Sequence, residues 1–221
     1  MRLIPMEISY LGHSSFKIKG KSASVICDPF DPKTVGLKFA SNEADIITIS
    51  HAHEDHNKIS SIKDVKKVIS GPGEYEIMGI SILGFPSYHD NKSGEERGKN
   101  IIFVFEVDGV RIAHLGDLGH ELSEKIIEDM GYIDILILPV GGEYTIGPDG
   151  ATKIVQAVEP SIVIPMHYQV PGLNPATFAK LKSVDGFLKD VGLTVERLPK
   201  LVLKKEDITE DMQKVVVLEK K

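Results

Sequence analysis

The chain has 221 residues, 42% of them hydrophobic and 26% charged, which fits one globular domain with a sizeable core and excludes a disordered polymer. A formal net charge of −6 argues against a surface built to track nucleic-acid phosphates, and a single cysteine, Cys27, excludes an intrachain disulfide. No apolar run approaches the roughly 20 residues that a bilayer span needs. The opening Met1-Arg2-Leu3-Ile4-Pro5-Met6-Glu7 lacks a secretory apolar stretch, so the expected compartment is the cytoplasm.

Strands dominate the first half. Alternation from Glu7 to Lys19 predicts a strand, with Ser24 to Cys27 as its partner across the Gly20-Lys21 turn. Asp45 to Ser50 and Glu74 to Phe85 follow. Ile101 to Val107 and Val110 to His114 then flank Asp108-Gly109, a strong hairpin signal. The polar, glycine-bearing run from Asp90 to Asn100 reads as a mobile loop. Helices come later: Glu121 to Met130, with His120 as its polar start, Gly150 to Val158, and Pro175 to Val191, whose apolar face is Leu181, Val184, Leu188 and Val191. Between and after them lie strands at Asp134 to Leu138, Ser161 to Ile164, Thr194 to Arg197, Leu201 to Leu203 and Val215 to Leu218. This order suggests an α+β fold in which two sheets carry helices on their outer faces.

The chemistry sits where β-rich runs end. In Ser50-His51-Ala52-His53-Glu54-Asp55-His56-Asn57, residues two apart at a strand end project to one side, so His51 and His53 can share a metal. A turn there would carry Asp55 and His56 to a second position close by. Imidazole and carboxylate together suit Zn²⁺, with Fe or Mn as alternatives. A random match to His-x-His-x-Asp-His in a chain of this composition is on the order of one in a thousand. A solvated turn is the bland alternative. His89, Asp117 and His167 each follow another β-rich run and could converge on the same place.

Beyond spacing, the chain resembles the metallo-β-lactamase-fold hydrolases, in a branch similar to the L-ascorbate-6-phosphate lactonase. The resemblance runs through Tyr10-Leu11-Gly12-His13-Ser14-Ser15-Phe16, Cys27-Asp28-Pro29, the His51 to His56 motif, His89, His114-Leu115-Gly116-Asp117, Leu138-Pro139-Val140-Gly141-Gly142 and Pro165-Met166-His167-Tyr168. It implies a four-layer αββα sandwich spanning residues 1–221 as one domain. It also implies two metals: His51, His53 and His89 on one, Asp55, His56 and His167 on the other, and Asp117 bridging both. Asp55 and His114 would serve in catalysis, His114 from behind the ligands. Asp28 would orient ligands, His13 would line the pocket, and Tyr168 and Glu143 are candidate substrate contacts.

Two ions roughly 3.5–4 Å apart can hold a bridging water and bring its pKa toward neutrality. The resulting hydroxide would attack an ester, lactone or phosphoester of a small molecule, and the metals would stabilise the developing oxyanion. A nuclease is the second enzyme reading, disfavoured by the acidic charge. A metal-stabilised regulatory protein without catalysis is the third. Nothing matches a P-loop or a complete dinucleotide loop, and Gly12-His13-Ser14-Ser15-Phe16 lacks the closing glycine of a nucleophile elbow. No membrane partner is expected, and the resemblance allows a homo-oligomer.

Overall fold

The computed structural model describes residues 5–221. The alternating run from Glu7 to Lys19, expected as one strand, folds instead into a hairpin, β1 (Met6–Gly12) and β2 (Ser15–Lys19), with His13 and Ser14 at its tip. β3 (Ser24–Cys27) pairs antiparallel with β2, as its sequence position predicts. After the one-turn α1 (Pro32–Val35) come β4 (Asn42–Glu43), β5 (Ile46–Thr48), β6 (Ile62–Lys63) and β7 (Lys67–Ile69). The second half holds β8 (Gly73–Ile77), β9 (Ile80–Tyr88), β10 (Lys99–Val107), β11 (Val110–His114), α2 (Glu124–Met130), β12 (Ile135–Pro139), α3 (Pro148–Val158) and β13 (Ile162–Met166). It closes with α4 (Pro175–Phe178), α5 (Val184–Val191), β14 (Thr194–Leu198), β15 (Leu201–Leu203) and β16 (Lys214–Leu218).

Six strands in the order β15-β1-β2-β3-β5-β7 form one sheet, and eight in the order β14-β16-β13-β12-β11-β10-β9-β8 form the other. Between them lies a continuous apolar layer in which Ile8, Phe16, Val25 and Ile46 of the first sheet meet Phe103, Ile112, Ile137 and Ile164 of the second. β12 and β13 run parallel and are buried along their whole length, which explains their unbroken apolar sequences. α2, α3 and α5 cover the outer face of the eight-stranded sheet through Met130, Ile154, Val155 and Phe187. The outer layer on the six-stranded sheet is thin: Ala44 and Ile62, from the two-stranded ribbon of β4 and β6 and its approach, cover Ile26 and Ile47. The layered α+β sandwich is therefore present, with its helices concentrated on one side. No helix among the described residues is long and apolar enough to cross a membrane.

Asp108 and Gly109 sit at φ 51° and 80°, the backbone that a two-residue hairpin turn requires. Two further expectations change in detail. The helix predicted from Pro175 to Val191 is broken into α4 and α5. The backbone of Lys182 instead donates to Gly141 O at 2.9 Å and accepts from Gln169 N at 2.9 Å, and a residue bonded in this way cannot continue a helix. The segment after β9 is not a free loop either. The Asp90 carboxylate accepts the backbone N–H groups of Lys92, Gly94, Glu96 and Arg97 at 2.8–3.0 Å, and Lys99 and Asn100 already belong to β10. Those four donors outweigh burial and hold the Asp90 carboxyl well below the usual carboxylate range.

Candidate metal centre

The C-terminal ends of β3, β5, β9, β11, β12 and β13 reach one edge of the sandwich, and the loops beyond them carry the polar residues. The result is a concentration of imidazole and carboxylate that is otherwise rare in a core. His13, His56, His89, His167, Asp28 and Asp117 are all buried. Burying such groups is costly unless they are partnered, so their contacts define what the site is for.

Asp117 Oδ2 is the focus. It lies 3.2 Å from His56 Nε2, 3.2 Å from His167 Nε2, 3.3 Å from His89 Nε2 and 3.9 Å from His51 Nε2. Two sets of potential donors flank it: His51, His53 and His89 on one side, and His13, Asp55, His56 and His167 on the other. The seven residues expected as metal ligands are thus brought together, and a third set, His51, His56 and Asp117, spans the other two. His13 was expected only to line the pocket, but it joins the second set, with Nε2 3.1 Å from Asp55 Oδ2.

The donor set fits a cation. The Nε2 atoms of His51, His56 and His167 are buried and have no aligned hydrogen-bond partner. Buried ring nitrogens without a partner are scarce in folded proteins, and a metal would satisfy all three. The opposite ring atoms are fixed where they need to be. His56 Nδ1 donates to Asp28 Oδ2 at 2.9 Å, and His51 Nδ1 donates to Ser50 Oγ at 2.9 Å. Ser50 Oγ in turn donates to Asp28 Oδ2 at 2.6 Å, and Ser50 N donates to Asp28 Oδ1 at 2.7 Å. One carboxylate therefore sets the orientation of both imidazoles, the kind of outer contact that tunes metal sites.

The backbone is bent to make this convergence. His13, Asp28 and His167 all have φ between 45° and 55°, a left-handed conformation that costs a non-glycine residue about 1–3 kcal/mol. Packing and hydrogen bonds hold them there. Tyr10 Oη donates to His13 O at 3.0 Å, and His167 N donates to the same carbonyl at 3.1 Å. Close backbone approach fixes the rest. A Cβ on Gly119 would collide with the backbone of His89, and one on Gly141 with the carbonyl oxygen of His167. Gly141→Ala is therefore expected to lower stability by about 1–3 kcal/mol and to reduce metal retention, both read on one sample by thermal unfolding and elemental analysis.

Charge follows the same geometry. Burial opposes it, but Asp117, Asp55 and Asp28 hold a proton on His56 and raise its pKa well above the ordinary 6.5. Burial and the neighbouring His167 push His13 down to about 4, while burial and His56 push His51 down to about 3. Burial also disfavours ionised Asp55 and Asp117. The positive charge of His56 nevertheless pulls Asp55 far below the carboxylate range, and His167 with His56 does the same for Asp117.

A cation bound at His56 must displace that proton. Metal uptake near pH 7 is expected to release about one proton per chain and to weaken as pH falls. Calorimetric titration in buffers of different ionisation enthalpy checks this, and uptake without proton release would contradict it. Without metal, the two kinds of histidine have opposite effects on stability. The stabilisation from His56 is complete below its ordinary value and is lost as pH rises through its higher folded value. His13 and His51, with lowered values, cost stability as pH falls from 6.5 toward 4 and 3.

Three expected residues sit away from the reacting region. His114 is buried, its Nε2 donating to Ser14 O at 2.9 Å and its Nδ1 accepting from Gly116 N at 3.3 Å. With both nitrogens engaged by backbone, it steadies the His13-Ser14 tip and has no free atom for a catalytic step. Tyr168 lines a separate cavity of about 370 Å³ with Tyr10 and Arg197. Glu143 turns its carboxylate toward Lys180 at 3.5 Å, at the rim. His120 precedes α2 without joining it and accepts from Tyr88 N at 3.2 Å.

Other residues enter the site unannounced. Asn100 Oδ1 accepts from Asp117 N at 3.0 Å, while its Nδ2 donates to Ser87 Oγ at 2.8 Å and Leu115 O at 2.9 Å. The mouth over Asp55, His89 and Asp117, about 260 Å³, is walled by Arg97, Tyr144 and Phe178. A polar residue immediately before the β-rich run that starts at Ile101 was the available signal for Asn100. Nothing local marks Tyr144 or Phe178.

Comparisons with known proteins agree with this architecture. The beta-lactamase superfamily domain model matches residues 7–167. A UPF0173 metal-dependent hydrolase of Thermococcus onnurineus is 32% identical over 206 residues, covering 80% of this chain and 92% of that protein. Another, from Archaeoglobus fulgidus, is 31% identical and has 92% of its length covered. Among solved structures, a candidate Zn-dependent hydrolase of the metallo-β-lactamase superfamily from Thermotoga maritima is 37% identical, with 97% of this chain and 98% of that one covered and a TM-score of 0.77. A metallo hydrolase from Ignicoccus hospitalis, 20% identical with 97% and 95% coverage and a TM-score of 0.68, shares the fold. The chain belongs to the UPF0173 metal-dependent hydrolase family of the metallo-β-lactamase superfamily.

Proposed function

We propose that this hydrolase holds two divalent cations, Zn²⁺ first and Mn or Fe as alternatives, and cleaves a small-molecule ester, lactone or phosphoester. The convergence of four imidazole Nε2 atoms within 3.9 Å of Asp117 Oδ2 carries the reading. His51, His53 and His89 would hold one cation, Asp55, His56 and His167 the other, and Asp117 would face both. The chain acts as one domain in the cytoplasm, and lactones of the ascorbate-phosphate kind are among the substrates to try first.

When bound, such cations supply water that ionises near neutral pH and polarise the oxygen of the bond under attack. The chain supplies the rest. Asp55 lines the mouth as an ionised carboxylate, and His13 behind it at 3.1 Å fixes its orientation. In this role Asp55 would take a proton from the attacking water and later pass it to the leaving group. Phe178, in ring contact with His13 at 4.9 Å, shields the base of the mouth from bulk water.

Purified protein should hydrolyse members of an ester, lactone and phosphoester panel. The activity should disappear with a chelator, return with metal, and be lost in His53→Ala. A panel with no chelator-sensitive turnover would overturn the reading.

A further inference from the structure

A second and larger cavity adjoins the mouth. It measures about 690 Å³, and His53 and Arg97 line both spaces. It lies between the link from β7 to β8 and the facing ends of β9 and β10, with Pro72, Pro86 and Tyr88 supplying apolar wall. Its charge is distinctive. The mouth includes Asp55, Glu96 and Asp117, but the larger cavity is lined by Arg97 and Lys99 and by no carboxylate. In a chain of net charge −6, a cavity whose charged side chains are all cationic is a departure from the average surface.

The arginine is both held and available. Its backbone N–H is anchored on Asp90 Oδ2 at 2.8 Å, within the loop that the Asp90 carboxylate organises. Its guanidinium makes one loose, solvent-exposed ion pair among the described residues. The nearest carboxylate oxygen, Glu96 Oε2, is 3.7 Å away, and the other oxygen of Glu96 is taken by Lys92 at 2.6 Å. The Glu143 carbonyl lies at 3.5 Å and the Tyr144 ring centroid at 5.7 Å. Lys99 makes no ion pair among the described residues.

We propose that this cavity is the second subsite of the substrate and takes an anionic group, carboxylate or phosphate, carried on an apolar body whose reacting bond lies over the mouth. The proposal rests on the hydrolase reading of the adjoining centre. A cavity of this volume is the size that drug-sized ligands occupy, and a planar guanidinium with free donors suits either anion. The substrate then passes between His53 and Arg97, so its charge is read one residue away from the group that is cut.

Isothermal titration of the metal-loaded protein with 4-phenylbutyrate, 4-phenylbutyl phosphate and uncharged 4-phenylbutanamide tests this. One anion at least should bind about tenfold or more tighter than the amide, and which one does so separates carboxylate from phosphate substrates. The preference should collapse in the Arg97→Gln/Lys99→Gln double variant and persist in chelated wild type. Both side chains are partly exposed, so the variant should fold, and an unchanged metal content verifies this. Equal binding of anions and amide, an undiminished preference in the variant, or a preference abolished by chelation would overturn the proposal. The substrate panel separates the two readings. Hydrolysis without preference for anions defeats the subsite alone, and anion binding without hydrolysis defeats the hydrolase alone.

Discussion

Asp117→Asn is expected to fold yet to lose paired metal binding, and kcat/KM should fall by roughly a thousandfold, the equivalent of several kcal/mol of transition-state stabilisation. The substitution keeps the shape of the side chain and the hydrogen bond from its backbone N–H to Asn100 Oδ1 at 3.0 Å. What it removes is the negative charge at the point where His51, His56, His89 and His167 converge. Without the central carboxylate, nothing offsets the mutual repulsion of two cations held by neighbouring imidazoles. The variant's metal content and its activity at saturating metal should therefore fall together. Full metal content with lost activity would give Asp117 a different role.

Asp28→Ala should be the most damaging change outside the proposed ligands. Its carboxylate is buried and accepts from three donors, Ser50 N, Ser50 Oγ and His56 Nδ1, at 2.6–2.9 Å. Burial alone would raise its pKa, but the hydrogen bond and charge of His56 pull it below the usual carboxylate range. Removing it strands a charged imidazole and two further donors, at an expected cost of about 3–5 kcal/mol. Because His51 and His56 are both aimed through this one residue, metal affinity should also fall about 10–100-fold. Denaturant unfolding of the metal-free protein and metal titration separate the two effects. A loss of stability with unchanged affinity would make Asp28 a packing residue only.

Much of the site was legible because a strand end is a local feature. His51, His53, His89, Asp117 and His167 each follow a β-rich run, and parallel neighbours such as β11, β12 and β13 deliver their ends to one edge. The strands themselves were readable from alternation or from unbroken apolar runs. The rest depended on the third dimension. Lys67–Ile69 is too short to show a period and is a strand only because β5 lies beside it. The break between α4 and α5 comes from bonds that Lys182 makes to Gly141 and Gln169, which helical spacing cannot reveal. His13 sits at the tip of a hairpin whose alternation reads as one continuous strand, so its approach to Asp55 was invisible. His114 and Tyr168 illustrate the reverse: each stands beside a site residue in sequence, yet their side chains lead elsewhere.

The central claim is that one buried carboxylate joins two cation positions. Crystals of the protein soaked in zinc, with anomalous difference maps at the zinc edge, test it most directly. The account predicts two peaks per chain on either side of Asp117, one against His51, His53 and His89 and the other against Asp55, His56 and His167. A single peak, or a pair of which only one touches Asp117, would contradict it.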